Sequence, residues 1–168
     1  TSSSKLGFGA SRTMQIAQRL YQGIDMDGET VGLITYMRTD GTNISKDAVA
    51  TFRNFITQNY GETYLPPYPL NYSGKKAKNA QEAHEAIRPT EISRVPEDMK
   101  KYLSTDQYKL YNLIWSRSLS SQMESAKFDR KTITIKSEDN KNICKVSGST
   151  LKFDGFLKVS RIDENKDD

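Results

Sequence analysis

The chain has 168 residues, of which 35% are apolar and 27% charged, with a formal net charge of +4. That length suits one domain or a piece of a larger protein, and the charge is a mild basic bias of the kind that suits nucleic acid. A single cysteine, Cys144, excludes an internal disulfide and fits a cytoplasmic setting. The longest apolar runs fall well short of the roughly 18 residues a transmembrane helix needs, so no membrane partner is expected. Thr1-Ser2-Ser3-Ser4 is no signal peptide and carries no initiator Met, which reads as an excised fragment.

Residues 1–10 form a polar, glycine-containing lead. Ser11 then suits the N-cap of a helix through about Gln22, with Gly23 as its stop. Met14, Ile16, Ala17, Leu20 and Tyr21 give that helix an apolar face. Asp25 to Thr30 reads as a loop. It superficially resembles a calcium loop, but Glu29, an early Gly28 and Tyr36 stand where such a loop needs other residues.

The stretch from Gly32 to Gly41 begins as a short apolar run and reads as a strand closed by glycine. Alternation puts Tyr36, Arg38 and Asp40 on one face and Thr35, Met37 and Thr39 on the other. A phenol can act as a nucleophile, and a guanidinium two residues away can hold a phosphate with paired hydrogen bonds. The same residues also fit a half-buried edge strand with a packed Tyr and a solvated Arg.

Ser45 is a good N-cap for a second helix, with Asp47 in its first turn, and the helix runs to about Tyr60 and stops at Gly61. Val49, Phe52, Phe55 and Ile56 form its apolar stripe. Residues 61–79 read as loop because Pro66, Pro67 and Pro69 forbid regular helix. Lys75, Lys76 and Lys78 are either a solvated cluster or a strap touching DNA phosphates. Asn79 to Ile87 suits a short helix limited by Pro89, which puts His84 and Arg88 on one face. His84-Glu85-x-x-Arg88 lacks the second His of a zinc protease site.

Pro96-Glu97-Asp98 starts a short helix, and Ser104 to Gln107 is a capping box for the longest one. Tyr108, Tyr111, Ile114 or Trp115, Leu119 and Met123 follow helical spacing and read as a core stripe. From Phe128 the pattern alternates instead. Thr132 to Ile135 and Asn142 to Val146 read as a β-hairpin, with a third strand near Leu151 to Phe153 or Phe156 to Val159. Cys144 reads as a small buried residue, and Arg161 to Asp168 as a frayed, charged tail.

Leu33-Ile34-Thr35-Tyr36-Met37-Arg38-Thr39-Asp40 resembles the active-site signature of the type IA DNA topoisomerases of bacteria. Ala80-Gln81-Glu82-Ala83-His84-Glu85-Ala86-Ile87-Arg88-Pro89-Thr90 resembles a second motif of that family, in the expected order. Lys5 to Phe8, Thr13 to Tyr21, Tyr111 to Trp115 and Leu151 to Phe156 are similar too, so the resemblance runs from about Lys5 to about Val159. Gly41 departs from it, since the family commonly has Ser there, and the expected effect is on the turn more than on the chemistry.

The resemblance implies an α+β fold: a mainly helical, winged-helix or helix-turn-helix domain carrying the Tyr strand over residues 1–127, a β segment of an arch-like domain over 128–160, and the tail 161–168. It implies transesterification of single-stranded DNA, with Tyr36 as nucleophile and Arg38 stabilising phosphate charge. A phenol titrates at about pH 10, so it needs a base or cationic surroundings to attack at neutral pH. His84 and Arg88 are expected to contact DNA, Arg88 having the alternative of an ion pair with a nearby carboxylate, and Thr35 and Asp40 to position neighbours. Mg²⁺ is expected on a separate toprim domain of the same polypeptide and not in this fragment, which alone should be inactive. The rival from another class is a non-catalytic helix-turn-helix DNA-binding module.

Overall fold

A computed structural model of the chain describes residues 1–39, 41–72, 84–137 and 142–160. Two of its helices, α3 and α5, start where a side chain supplies an acceptor for the first free N–H groups. Helix α3 (Lys46–Tyr60) is capped by Ser45, whose Oγ accepts from the Ala48 N–H at 3.3 Å, and it ends at Gly61 with φ 94°. Helix α5 (Thr105–Ser120) carries a complete capping box: Gln107 N–H donates to Ser104 Oγ, and Ser104 N–H donates to Gln107 Oε1 at 2.9 Å. Pro96 opens the short helix α4 (Pro96–Met99). These three match the sequence reading. A five-residue helix α1 (Ser2–Leu6) precedes α2 (Ala10–Gln22). Helix α2 begins at the Gly9 cap, so Ser11, expected as its cap, lies inside the first turn.

Helices α2, α3 and α5 enclose one core with Leu20, Leu33, Ile34, Phe52, Ile56 and Leu119 at its centre. The expected stripe on α5 is buried at Tyr111, Trp115 and Leu119 and continues to Met123, with Tyr108 half-buried. Its polar tips are satisfied: Trp115 Nε1 donates to Ile92 O at 2.9 Å and Tyr111 Oη to Arg94 O at 2.7 Å.

Asp25 to Thr30 is a hairpin and not a loop. Strands β1 (Ile24–Met26) and β2 (Glu29–Val31) pair antiparallel, with Ile24 opposite Val31. Asp27 and Gly28 take φ of 54° and 94°, the pair of positive values that a type I′ turn requires.

The second motif also differs from its expected helix at the residues the structure describes. Residues 84–88 are extended: Glu85 bridges Asn43 in parallel, and Pro89 bridges Ile34 in antiparallel sense. Backbone pairing across the gap replaces helical bonds, with Ala86 N–H to Asn43 O at 2.7 Å, Thr35 N–H to Arg88 O at 2.9 Å and Thr90 N–H to Leu33 O at 3.0 Å. His84 and Arg88 therefore share no helical face. Residues 79–83 of that expected helix, the Lys75, Lys76 and Lys78 cluster, Asp40 and the 161–168 tail lie outside the described residues. The Tyr36 segment is a strand only at the Ile34 bridge and continues irregularly, with Arg38 N–H donating to Tyr36 O at 2.9 Å.

Strands β3 (Lys127–Lys136) and β4 (Ile143–Phe153) form the expected hairpin, with Ile133 opposite Val146 and Ile135 opposite Cys144. Among the described residues there is no third strand: Leu151 to Phe153 extends β4, and Leu157–Ser160 coils into helix α6 with Val159 fully buried. Cys144 is exposed rather than buried, because the hairpin face it shares with Ile133, Ile135 and Val146 has no second layer over it among the described residues. Among the described residues the architecture is thus mixed helix and strand, with two separate two-stranded antiparallel sheets.

Candidate active site

Leu33 and Ile34 are both buried and anchor the chain entering the site. Burial then alternates: Thr35 is half-buried, Tyr36 is 58% exposed, Met37 is buried, and Arg38 is exposed. The alternation read from sequence survives without a regular ladder, with Met37 turned into the core and its two neighbours outward. The phenol and the guanidinium thus face solvent from one short loop.

Two groups steady that loop. The Thr35 hydroxyl donates to Ala86 O at 2.9 Å and accepts from the Arg88 N–H at 3.0 Å. The ring of Tyr21, from the end of α2, meets Tyr36 edge to face with centroids 5.3 Å apart and planes at 66°. Such contacts are worth roughly 0.5–1.5 kcal/mol and fix ring orientation. Tyr21 was legible only as part of an apolar helix face; its contact with Tyr36 depends on how α2 and the loop meet, which sequence spacing does not carry.

Arg88 takes the structural alternative. Its Nε donates to Glu85 Oε1 at 2.8 Å, its Nη2 to Glu85 Oε2 at 3.2 Å, and its Nη1 to Pro89 O at 3.0 Å. Glu85 Oε1 also accepts the Ser45 N–H at 3.1 Å, so one carboxylate ties the second motif to the start of α3. Burial pushes the Glu85 carboxyl upward, but the hydrogen bonds from Arg88 and Ser45 outweigh it and hold the group below its ordinary range.

His84 is exposed on the same extended segment. Gly41 lies directly beneath it: a Cβ there would fall 1.9 Å from His84 O and 3.0 Å from Glu85 O. In this chain a side chain at position 41 would therefore require the His84 carbonyl to shift. Among the described residues the donors these motifs offer, a phenol, a guanidinium, an imidazole and a hydroxyl, do not fit Mg²⁺, which takes carboxylate, phosphate and water oxygens. The carboxylate of Glu85 is already committed to Arg88 and Ser45. Among the described residues no group of three or more His, Cys, Asp and Glu is placed to hold a metal.

The two motifs thus meet around one exposed tyrosine. A family model described as DNA topoisomerase matches residues 1–168, the whole chain. The chain belongs to the bacterial type IA DNA topoisomerase family. It is 54% identical over 164 residues to DNA topoisomerase 1 of Rickettsia felis, covering 98% of this chain and 21% of that protein. DNA topoisomerase 1 of Helicobacter pylori is 48% identical over 159 residues, again 21% of its length. The solved full-length topoisomerase I of Thermotoga maritima superposes with a TM-score of 0.81 at 41% identity, over 95% of this chain and 25% of that one. The chain therefore spans about a fifth of the length of the curated topoisomerases it matches.

Proposed function

We propose that this chain is the tyrosine-bearing part of a DNA topoisomerase that relaxes negatively supercoiled DNA by passing one strand through a transient break in another. The observation that carries the reading is the solvent-facing Tyr36, with Arg38 beside it, held against the second motif by Thr35. Tyr36 Oη attacks a phosphodiester of single-stranded DNA. The Oη–P bond forms as the P–O3′ bond breaks, leaving a 5′-phosphotyrosyl linkage and a 3′-hydroxyl. The phenol gives its proton to a base, and the departing oxygen gains one. Because the phosphotyrosine keeps the bond energy, the 3′-hydroxyl reseals the strand with no ATP.

In this reading Arg38 and His84 contact phosphate, with Arg38 stabilising the charge that builds on it. Thr35 and Arg88 position those groups from behind the loop, and Asp40 belongs to the same motif. Mg²⁺ belongs to carboxylates of a toprim domain elsewhere in the polypeptide, and no step is assigned to it here. The helical body, 1–127, takes the role of a winged-helix-like domain, and the β3–β4 segment joins the adjoining arch. Such an enzyme works on DNA in the cytoplasm, and this chain without its other domains neither cleaves nor relaxes DNA.

The test is denaturing-gel trapping of an adduct between the full-length enzyme and labelled single-stranded DNA with Mg²⁺. A 5′ adduct that disappears in Tyr36→Phe supports the reading. DNA binding with no adduct in either protein overturns it in favour of a non-catalytic DNA-binding module.

A further inference from the structure

A cleft of about 720 Å³ lies behind the Tyr36 loop, between α2, α5 and the 37–44 segment. Its walls are largely apolar: Met14, Met37, Ile44, Ile87, Leu110 and Ile114 contribute. Two guanidiniums, those of Arg38 and Arg117, stand among the lining residues, and no carboxylate does among the described residues. Tyr72 is fixed at one side, with its phenol donating to Ser121 O at 2.9 Å and its carbonyl accepting from the Thr42 hydroxyl at 3.3 Å. An apolar hollow of ligand size with only positive charge around it selects a flat, apolar body joined to an anion.

We propose that this cleft receives one unpaired base of the DNA strand being cut, with the adjoining phosphate held between Arg38 and Arg117. The inference rests on the proposed function, because Arg38 belongs to both places: it follows Tyr36 by two residues and also lines the cleft. A strand whose phosphate lies at Arg38 presents its neighbouring base at the cleft mouth. The base is unpaired, since a base can leave the stack for a protein pocket only when its pairing is broken. The half-buried side chains of Leu113 and Ile114 and the exposed Arg117 face this occupant from α5. The recognition is by shape, stacking on guanidinium and Tyr72, and charge, so weak base preference is expected.

The test uses the full-length enzyme and single-stranded oligonucleotides that carry one abasic position, moved stepwise along both sides of the cleavage point. Binding is read by anisotropy, and adduct formation is read separately on denaturing gels. The expected result is one position at which loss of the base weakens binding about tenfold. That sensitivity should vanish in Leu113→Trp, which fills the cleft, and shrink in Arg117→Ala. Adduct formation by the unaltered enzyme is the readout of the proposed function. A flat profile, or a sensitive position unchanged in Leu113→Trp and Arg117→Ala, overturns the cleft as a base site while adduct formation leaves the proposed function standing. If no adduct forms in the unaltered enzyme, the proposed function falls, and the anisotropy profile still decides the cleft by the same criteria. Should Leu113→Trp fail to fold, as judged by its circular dichroism, Arg117→Ala carries the decision.

Discussion

Removing the Glu85–Arg88 pair should cost stability before it costs DNA affinity. The Arg88 side chain is 15% exposed and that of Glu85 33%, so the pair lies between surface and interior. Exposed pairs contribute roughly 0–1 kcal/mol, whereas orphaning one member of a buried pair costs about 3–5 kcal/mol. With two forked hydrogen bonds and partial screening, a coupling energy of about 1.5 kcal/mol follows. Glu85→Gln alone is expected to destabilise by about 2 kcal/mol, since it leaves Arg88 facing a neutral amide. Arg88→Met alone should cost about 1.5 kcal/mol, and the double variant little more than either. Urea unfolding of the chain and its three variants gives the cycle. Because Glu85 titrates below its ordinary range, the contribution is complete above the unfolded carboxylate pKa and is lost as pH falls through the lower folded value. Additivity within about 0.3 kcal/mol at neutral pH would refute the coupling. A loss of DNA affinity in Arg88→Met with unchanged stability would return Arg88 to the role of a phosphate contact.

Gly41→Ala should force His84 O away by more than an ångström, lowering stability by about 1–3 kcal/mol and slowing adduct formation by the full-length enzyme; unaltered rates would show that the contact is unimportant. Ser104→Ala removes one half of the capping box on α5 and should cost about 1 kcal/mol in urea, a value that a change below about 0.3 kcal/mol would contradict. Tyr60 is pushed upward by burial, Tyr64 by its hydrogen bond to Asp154 and by burial, and Tyr111 chiefly by burial. Their stabilisation is present below the unfolded phenol value and lost as pH rises through the higher folded values, so unfolding should set in above about pH 10. A melting temperature that stays flat from pH 9 to 12 would contradict this.

What the sequence revealed was what neighbouring residues decide. Ser45, Gly61, Pro96 and the Ser104–Gln107 box mark helix ends through bonds within one turn, and all four mark ends in the structure. The Tyr36–Arg38 alternation was legible because it is set within three residues, with Met37 turned inward between them. Residues 84–90 misled because helical spacing is compatible with the composition of 84–88, while the deciding bonds run to Leu33, Thr35 and Asn43, 43 to 57 positions away in the sequence. Phe156 to Val159, one of two places offered for a third strand, misled for a similar reason: Val159 has a buried place beside α5 that no local pattern discloses. Cys144 shows the converse, since alternation reports which face a residue takes but not whether anything covers that face. Asp27-Gly28 was a missed signal, as that dipeptide is among the strongest short-range marks of a tight hairpin.

The base of the long hairpin is bolted to the helical body on both sides. Glu124 N–H donates to Tyr64 O and Phe156 N–H to Glu124 O, each at 2.8 Å, while Tyr64 Oη donates to Asp154 Oδ1 at 2.7 Å. The rings of Tyr64 and Phe153 also lie 4.9 Å apart, so the connection from α5 into β3 and the end of β4 meet the same tyrosine. The foot of the hairpin is therefore fastened to the body that carries Tyr36. A swing of the hairpin against that body has first to break the Tyr64 contacts.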